Sequence, residues 1–201
     1  MSRARRAGVV AAVGAGAVLV AAGWALLDVS RPPDDVGTLP AASPAAARTT
    51  PYSPPVAVAV GGPHRLRAAV SAVAATREGD LALPEDGDHV GWWALGAGPG
   101  SGRGTVLLAG HVDTEAGLGA FAELHNLDVG ARVEVTGADG RTHPYRITAR
   151  RTYDRGELPA DLFSAHGAPR LALLTCSGDY DPDTGLYAEN LVLYAAPVTG
   201  T

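Results

Sequence analysis

Residues 170–195 read RLALLTCSGDYDPDTGLYAENLVLYA. An aliphatic run, RLALLTC (170–176), gives way to a polar loop, SGDYDPDTG (177–185). A second run, NLVLYAAPV (190–198), follows. Short apolar runs bounded by glycine and aspartate read as buried strands. The same pattern recurs upstream in VAVAV (56–60), TVLLAG (105–110), RVEVTG (132–137) and THPYRITARRTY (142–153). Asp139-Gly140 lies between the last two of these and marks a hairpin. The stretches HRLRAAVSAV (64–73), GAFAELHNL (119–127) and PADLFSA (159–165) read as short helical turns. No repeat of 20–50 residues is present, which argues against a solenoid. Many short strands with few helices point to a compact all-β barrel or sandwich, and a closed barrel removes exposed edges.

Around this β region the chain is uneven. Arg3, Arg5 and Arg6 precede AGVVAAVGAGAVLVAAGWALL (7–27), 21 residues without a charge. A helix of that length spans about 30 Å of hydrocarbon, and the leading arginines favour a cytoplasmic N-terminus. A cleaved signal peptide and a buried soluble helix are the other readings; the length of the apolar run favours an uncleaved anchor. Residues 30–55 hold seven prolines. They read as an extended tether, with an arm wrapped on the domain as the alternative. The expected organisation is therefore a basic cytoplasmic segment (1–6), a transmembrane anchor (7–27), a tether (28–55) and one domain (56–201).

The chain has 201 residues and a formal net charge of −5. Residues 56–201 carry 18 acids against 11 arginines. That balance argues against a nucleic-acid partner. There is no lysine, so phosphate-loop chemistry is excluded. The single cysteine, Cys176, forms neither an internal disulfide nor a thiolate cage. Asp179, Asp181 and Asp183 open like a calcium loop, but Thr184 and Asn190 stand where glycine and glutamate belong, so no metal site is expected.

Cys176 and His111 each close an aliphatic strand, in LLTC and in LLAGHVDT. A thiol beside an imidazole can form a thiolate–imidazolium pair, the usual activated cysteine nucleophile. The other histidines, at 64, 89, 125, 143 and 166, fall in segments that read as surface loops or short helices.

Together these features resemble the sortases, membrane-anchored cysteine transpeptidases of Gram-positive bacteria. The resemblance covers most of residues 56–198. VGWW (90–93), AGHVDT (109–114), GAFAELHNLDVGARVEV (119–135) and LTCSGDYDPDTGLYAENLVLYA (174–195) look most like the actinobacterial class F branch. It implies a closed eight-stranded sortase-like β barrel with short helices, held outside the cell membrane by a single N-terminal transmembrane helix. It implies His111 and Cys176 as catalytic residues, with Thr175 and Asn190 in substrate binding. It further implies cleavage of an LPxTG-type sorting signal of secreted surface proteins between Thr and Gly. Transfer would be to an amine acceptor on a cell-wall precursor or pilin, and no cofactor is required. The family arginine on the final strand is missing; Tyr187-Ala-Glu-Asn190 occupies its place. Arg155 and Arg170 are the substitutes considered. Arg170 lies about 20 Å along an extended strand from Cys176, beyond side-chain reach, so the role stays unassigned. A peptidoglycan-directed cysteine peptidase or amidase and a degenerate, non-catalytic binding domain are the alternatives.

Overall fold

A computed structural model describes residues 33–39, 52–77 and 79–198. The segment expected to be a transmembrane anchor, 7–27, lies outside the described residues. Among the described residues no helix is long and apolar enough to cross a membrane. The strands are β1 (Val36–Gly37), β2 (Pro55–Val60), β3 (Leu66–Val73), β4 (His89–Trp93), β5 (Thr105–Gly110), β6 (Asp113–Thr114), β7 (Gly117–Leu118), β8 (Arg132–Gly137), β9 (Thr142–Asp154), β10 (Arg170–Asp181) and β11 (Leu186–Pro197).

Eight of them close a barrel. The order runs β9-β11-β10-β5-β4-β3-β2-β8, and β8 pairs back to β9. Closure removes the free edges an open sheet would present. The hairpin at Asp139-Gly140 joins β8 to β9, with Gly140 at φ 77°. The turns expected near 119–127 and 159–165 appear as 3₁₀ helices at Ala122–Asn126 and Ala160–Phe163.

The apolar pattern explains the layers. In β3, Leu66, Ala68 and Val70 are buried while Arg67, Ala69 and Ser71 are exposed. That alternation has a period of two, so HRLRAAVSAV is strand and not the helical turn expected from its alanines. β5 and β10 are buried on both faces, as a continuous aliphatic run requires. Their inner side chains, Leu108, Leu171 and Leu173, join Leu191 and Leu193 in the barrel core. Their outer ones, Leu107, Ala172 and Leu174, pack with Val192, Tyr194 and Leu162 in a second layer beneath the Ala160–Phe163 turn. Arg170 belongs to this framework. Its guanidinium contacts Thr105 Oγ1 and Asp161, each at 2.9 Å, and lies over the Tyr194 ring.

The proline-rich stretch is not tether throughout. Val36–Gly37 adds to β9 opposite Arg150 and Ala149. Arg151 donates to the Val36 and Gly37 carbonyls at 2.8 and 2.9 Å, and the Thr152 amide donates to Asp35 Oδ1 at 2.8 Å. Tyr52 meets Trp92 edge-on at 6.0 Å, and the Ala138 amide donates to the Pro54 carbonyl. Polar contacts dock this arm, so counting prolines and apolar residues could not reveal it. Gly37, at φ 82°, lies so close to β9 that a Cβ would run into the Thr148 carbonyl. Gly37→Ala is therefore expected to release the arm, costing about 1–2 kcal/mol. Limited proteolysis should then cut between residues 33 and 51, while thermal melting retains one cooperative barrel transition.

Candidate active site

β5 and β10 run parallel, with Leu174 opposite Ala109 at the last backbone rung. One residue on, Thr175 Oγ1 donates to the Gly110 carbonyl at 2.9 Å. A side chain thus continues the pairing where the ladder stops. The next residues on the two strands are Cys176 and His111. Thr175 is only 2% exposed, and its hydroxyl ties β10 to the end of β5. Strand alternation turns Thr175 and Ser177 towards the barrel interior and Leu174 and Cys176 outwards.

Cys176 pairs across β10–β11 with Asn190, which pairs across β11–β9 with Tyr153. A cleft of about 590 Å³ opens here. Leu81, Leu83, Leu158 and Phe163 give it apolar surface, and Arg155, Cys176, Glu189 and Asn190 give it polar surface. Arg155 follows the end of β9, where its amide donates to the Ala188 carbonyl at 2.9 Å and extends the pairing with β11. This places a guanidinium in the cleft from the strand beside the one that carries Asn190. Arg170, in contrast, is buried at the far end of β10 and is committed to Asp161 and Thr105.

Two further contacts fix the histidine side. His111 Nε2 lies 2.9 Å from the Pro84 carbonyl. A carbonyl only accepts, so Nε2 carries the proton and Nδ1 is the nitrogen left for proton exchange. Two residues on, Asp113 accepts the Tyr187 hydroxyl at 2.8 Å, tying the histidine loop to β11. Burial, then this carboxylate, pushes the Tyr187 phenol well above its usual range. No hydrogen bond joins the described His111 ring to the described thiol.

Burial pushes the Cys176 thiol up, the Arg155 charge pulls it down, and Asp113 pushes it up again. Burial leads, so the net effect holds the thiol above its ordinary range. His125 lies in the Ala122–Asn126 3₁₀ turn, as the sequence suggested, with Nε2 3.3 Å from Ser177 Oγ. Burial, then the Arg150 charge, lowers its affinity for a proton. At the turn from β10 to β11, Asp181 accepts from the Asp183 amide and the Thr184 hydroxyl, both at 2.9 Å. Its carboxylate shapes a turn. Among the described residues, no three His, Cys, Asp or Glu side chains converge as a metal site would require.

The profile of the sortase domain matches residues 65–198, two thirds of the chain. The chain belongs to the sortase family. Solved sortases share the fold at low identity. Sortase A of Listeria monocytogenes aligns with TM-score 0.53 and 15% identity, over 72% of this chain and 88% of that one. Sortase C-3 of Streptococcus pneumoniae gives 0.55 and 16%, over 75% and 66%. The sortase D5 transpeptidase of Clostridium perfringens gives 0.51 and 15%, over 72% and 79%. No curated protein matches the chain.

The electrostatics predict a pH signature. With the folded pKa raised, alkylation of Cys176 by iodoacetamide should be slow at pH 7 and climb through and beyond the ordinary thiol range near pH 8.5. Arg155→Ala removes a stabilising cation and should move the midpoint further up. Asp113→Asn removes an anion and should move it down. Intact mass reads the rate cleanly, because Cys176 is the only cysteine.

Proposed function

We propose that this sortase, of the class F type suggested by its VGWW and AGHVDT motifs, is a membrane-anchored transpeptidase with its catalytic domain outside the cell. In this reading it cleaves an LPxTG-type sorting signal between Thr and Gly. It joins the new carboxyl end to an amine of a cell-wall precursor or pilin. The observation that carries the reading is the convergence of Cys176, Arg155 and Asn190 in one cleft at the β5–β10 strand ends, immediately beyond which His111 follows Gly110.

Cys176 gives its Sγ proton to His111 Nδ1 as the sulfur attacks the threonine carbonyl carbon, and the carbonyl oxygen takes the negative charge. Arg155 stabilises that oxyanion, the task assigned elsewhere in the family to an arginine on the final strand. The Asn190 amide contributes a neutral hydrogen bond to the bound peptide. As the C–N bond breaks, His111 gives a proton to the departing glycine amine, leaving a thioester on Cys176. An incoming amine attacks the thioester and loses a proton to His111. The C–S bond then breaks and His111 returns its proton to the departing sulfur, which regenerates Cys176. Water in place of the amine gives hydrolysis. Thr175 acts on this chemistry by holding the two strand ends and does not touch substrate.

The test is turnover of a Leu-Pro-x-Thr-Gly peptide with and without an amine. Cys176→Ala should abolish turnover. Arg155→Ala should lower acylation about a hundredfold, the usual cost of one oxyanion donor, about 3 kcal/mol. Asn190→Arg should bring no gain, because the guanidinium is already supplied. Cleavage at equal rates with and without the amine, with no ligated product, would assign the site to a peptidase. No thioester from any peptide would assign the barrel to binding alone.

A further inference from the structure

Away from the cleft, β3, β2, β8 and β9 lie side by side. Arg132 on β8 stands directly opposite Arg146 on β9. Val60 pairs with Leu66 on β3 and with Val133 on β8. One residue further, the same registers set Arg65, Gly61, Arg132 and Arg146 in a single row on the outer face. The next outer row holds Arg67, Ala59 and Glu134.

The small residues on β2 make the floor of a trough of about 620 Å³, walled by Arg65 and Arg67 on one side and Arg132 and Glu134 on the other. A Cβ at Gly61 would meet nothing within 4 Å, so the space above it is open. Like charges directly opposite each other destabilise a sheet by a few tenths of a kcal/mol to about 1 kcal/mol. Here that arrangement sits in a domain with an excess of acids. Only one contact in the row neutralises charge, Arg132 Nε on Glu134 at 3.2 Å, and both side chains are about half exposed. Arg65 and Arg146 donate to the Gly62 and Gly130 carbonyls, which aim the guanidiniums without cancelling them.

Guanidinium forks match phosphate oxygens. β3 and β8 stand about 10 Å apart across β2, which leaves room over Gly61 for one phosphate between Arg65 and Arg132. Arg67 lies two residues along its strand from Arg65, about 7 Å on, beside the position a second charge would take. Val60 and Leu66, the large apolar residues of the lining, are themselves buried, so the trough offers nothing to insert into a bilayer. We propose that this trough binds an extended polyanion with phosphates close enough together for two of them to sit about 7 Å apart, one held over Gly61 between Arg65 and Arg132 and another beside Arg67. The inference does not rest on the transpeptidase reading.

The experiment measures binding to the full-length chain, in non-ionic detergent at about 0.1 M salt, of three probes: inorganic polyphosphate, orthophosphate, and the soluble lipid headgroup glycerophosphoglycerol. Polyphosphate should bind at least tenfold more tightly than either single-phosphate probe. Arg65→Gln combined with Arg132→Gln should weaken it at least tenfold and flatten its salt dependence. Glu134→Gln should strengthen it. All three side chains are largely solvent-facing, so unchanged melting temperatures verify the fold. Polyphosphate binding that is undetectable, or unaltered in the double variant, would overturn the proposal. Equal affinity for the headgroup and polyphosphate would overturn the extended occupant and leave a single-phosphate site.

Discussion

The parallel pairing of β5 with β10 is the constraint on which the rest of the molecule depends. Parallel neighbours cannot be joined by a tight turn; here 59 residues, including β8 and β9, separate Gly110 from Arg170. Burial on both faces holds the pair. Leu107, Leu108, Leu171 and Leu173 are fully buried, and each is worth about 1.5–3 kcal/mol relative to exposure. The strand ends therefore have a fixed relation before any polar group is considered. The Thr175 hydroxyl on the Gly110 carbonyl then carries that relation one residue past the ladder, to the point where aliphatic sequence gives way to His111 and Cys176.

Function follows from what surrounds those ends. The outer face of β10 is roofed by Leu81, Leu83, Leu158 and Phe163, and burial there pushes the thiol up. The Pro84 carbonyl and the Asp113–Tyr187 bond hold the histidine loop from two directions. Arg155 reaches the cleft because β9 pairs with β11 beyond its own last strand residue. A guanidinium thus enters the cleft from a neighbouring strand.

Much of this was legible in residues. LLAGH and the Asp139-Gly140 hairpin carry local signals of strand end and turn that survive in the fold, whereas the strand carrying LLTC does not close at Cys176 but runs on to Asp181, paired with β11. HRLRAAVSAV did not, because alanine fits helix and strand alike and only its pairing with β2 and β4 decides. The docked arm at Asp35–Gly37 was hidden among prolines, since its contacts are backbone carbonyls that no composition displays. Arg155 could be named but not chosen among eleven arginines, because its place depends on how β9 returns beside β11. The contact of Thr175 with the Gly110 carbonyl was not legible either, because it depends on β10 lying beside β5.

The most direct test of the account is acylation in Thr175 variants, followed by intact mass with a sorting-signal peptide. Thr175→Ser keeps the hydroxyl, and Thr175→Val keeps the shape while leaving the Gly110 carbonyl without its partner, at a cost of about 1–3 kcal/mol. If the hydroxyl bridge aligns the two strand ends, the serine variant acylates near the parent rate. The valine variant, still folded, then falls at least tenfold. Parent-rate acylation by a folded valine variant would contradict the account, because His111 and Cys176 would then be aligned by something other than this bond.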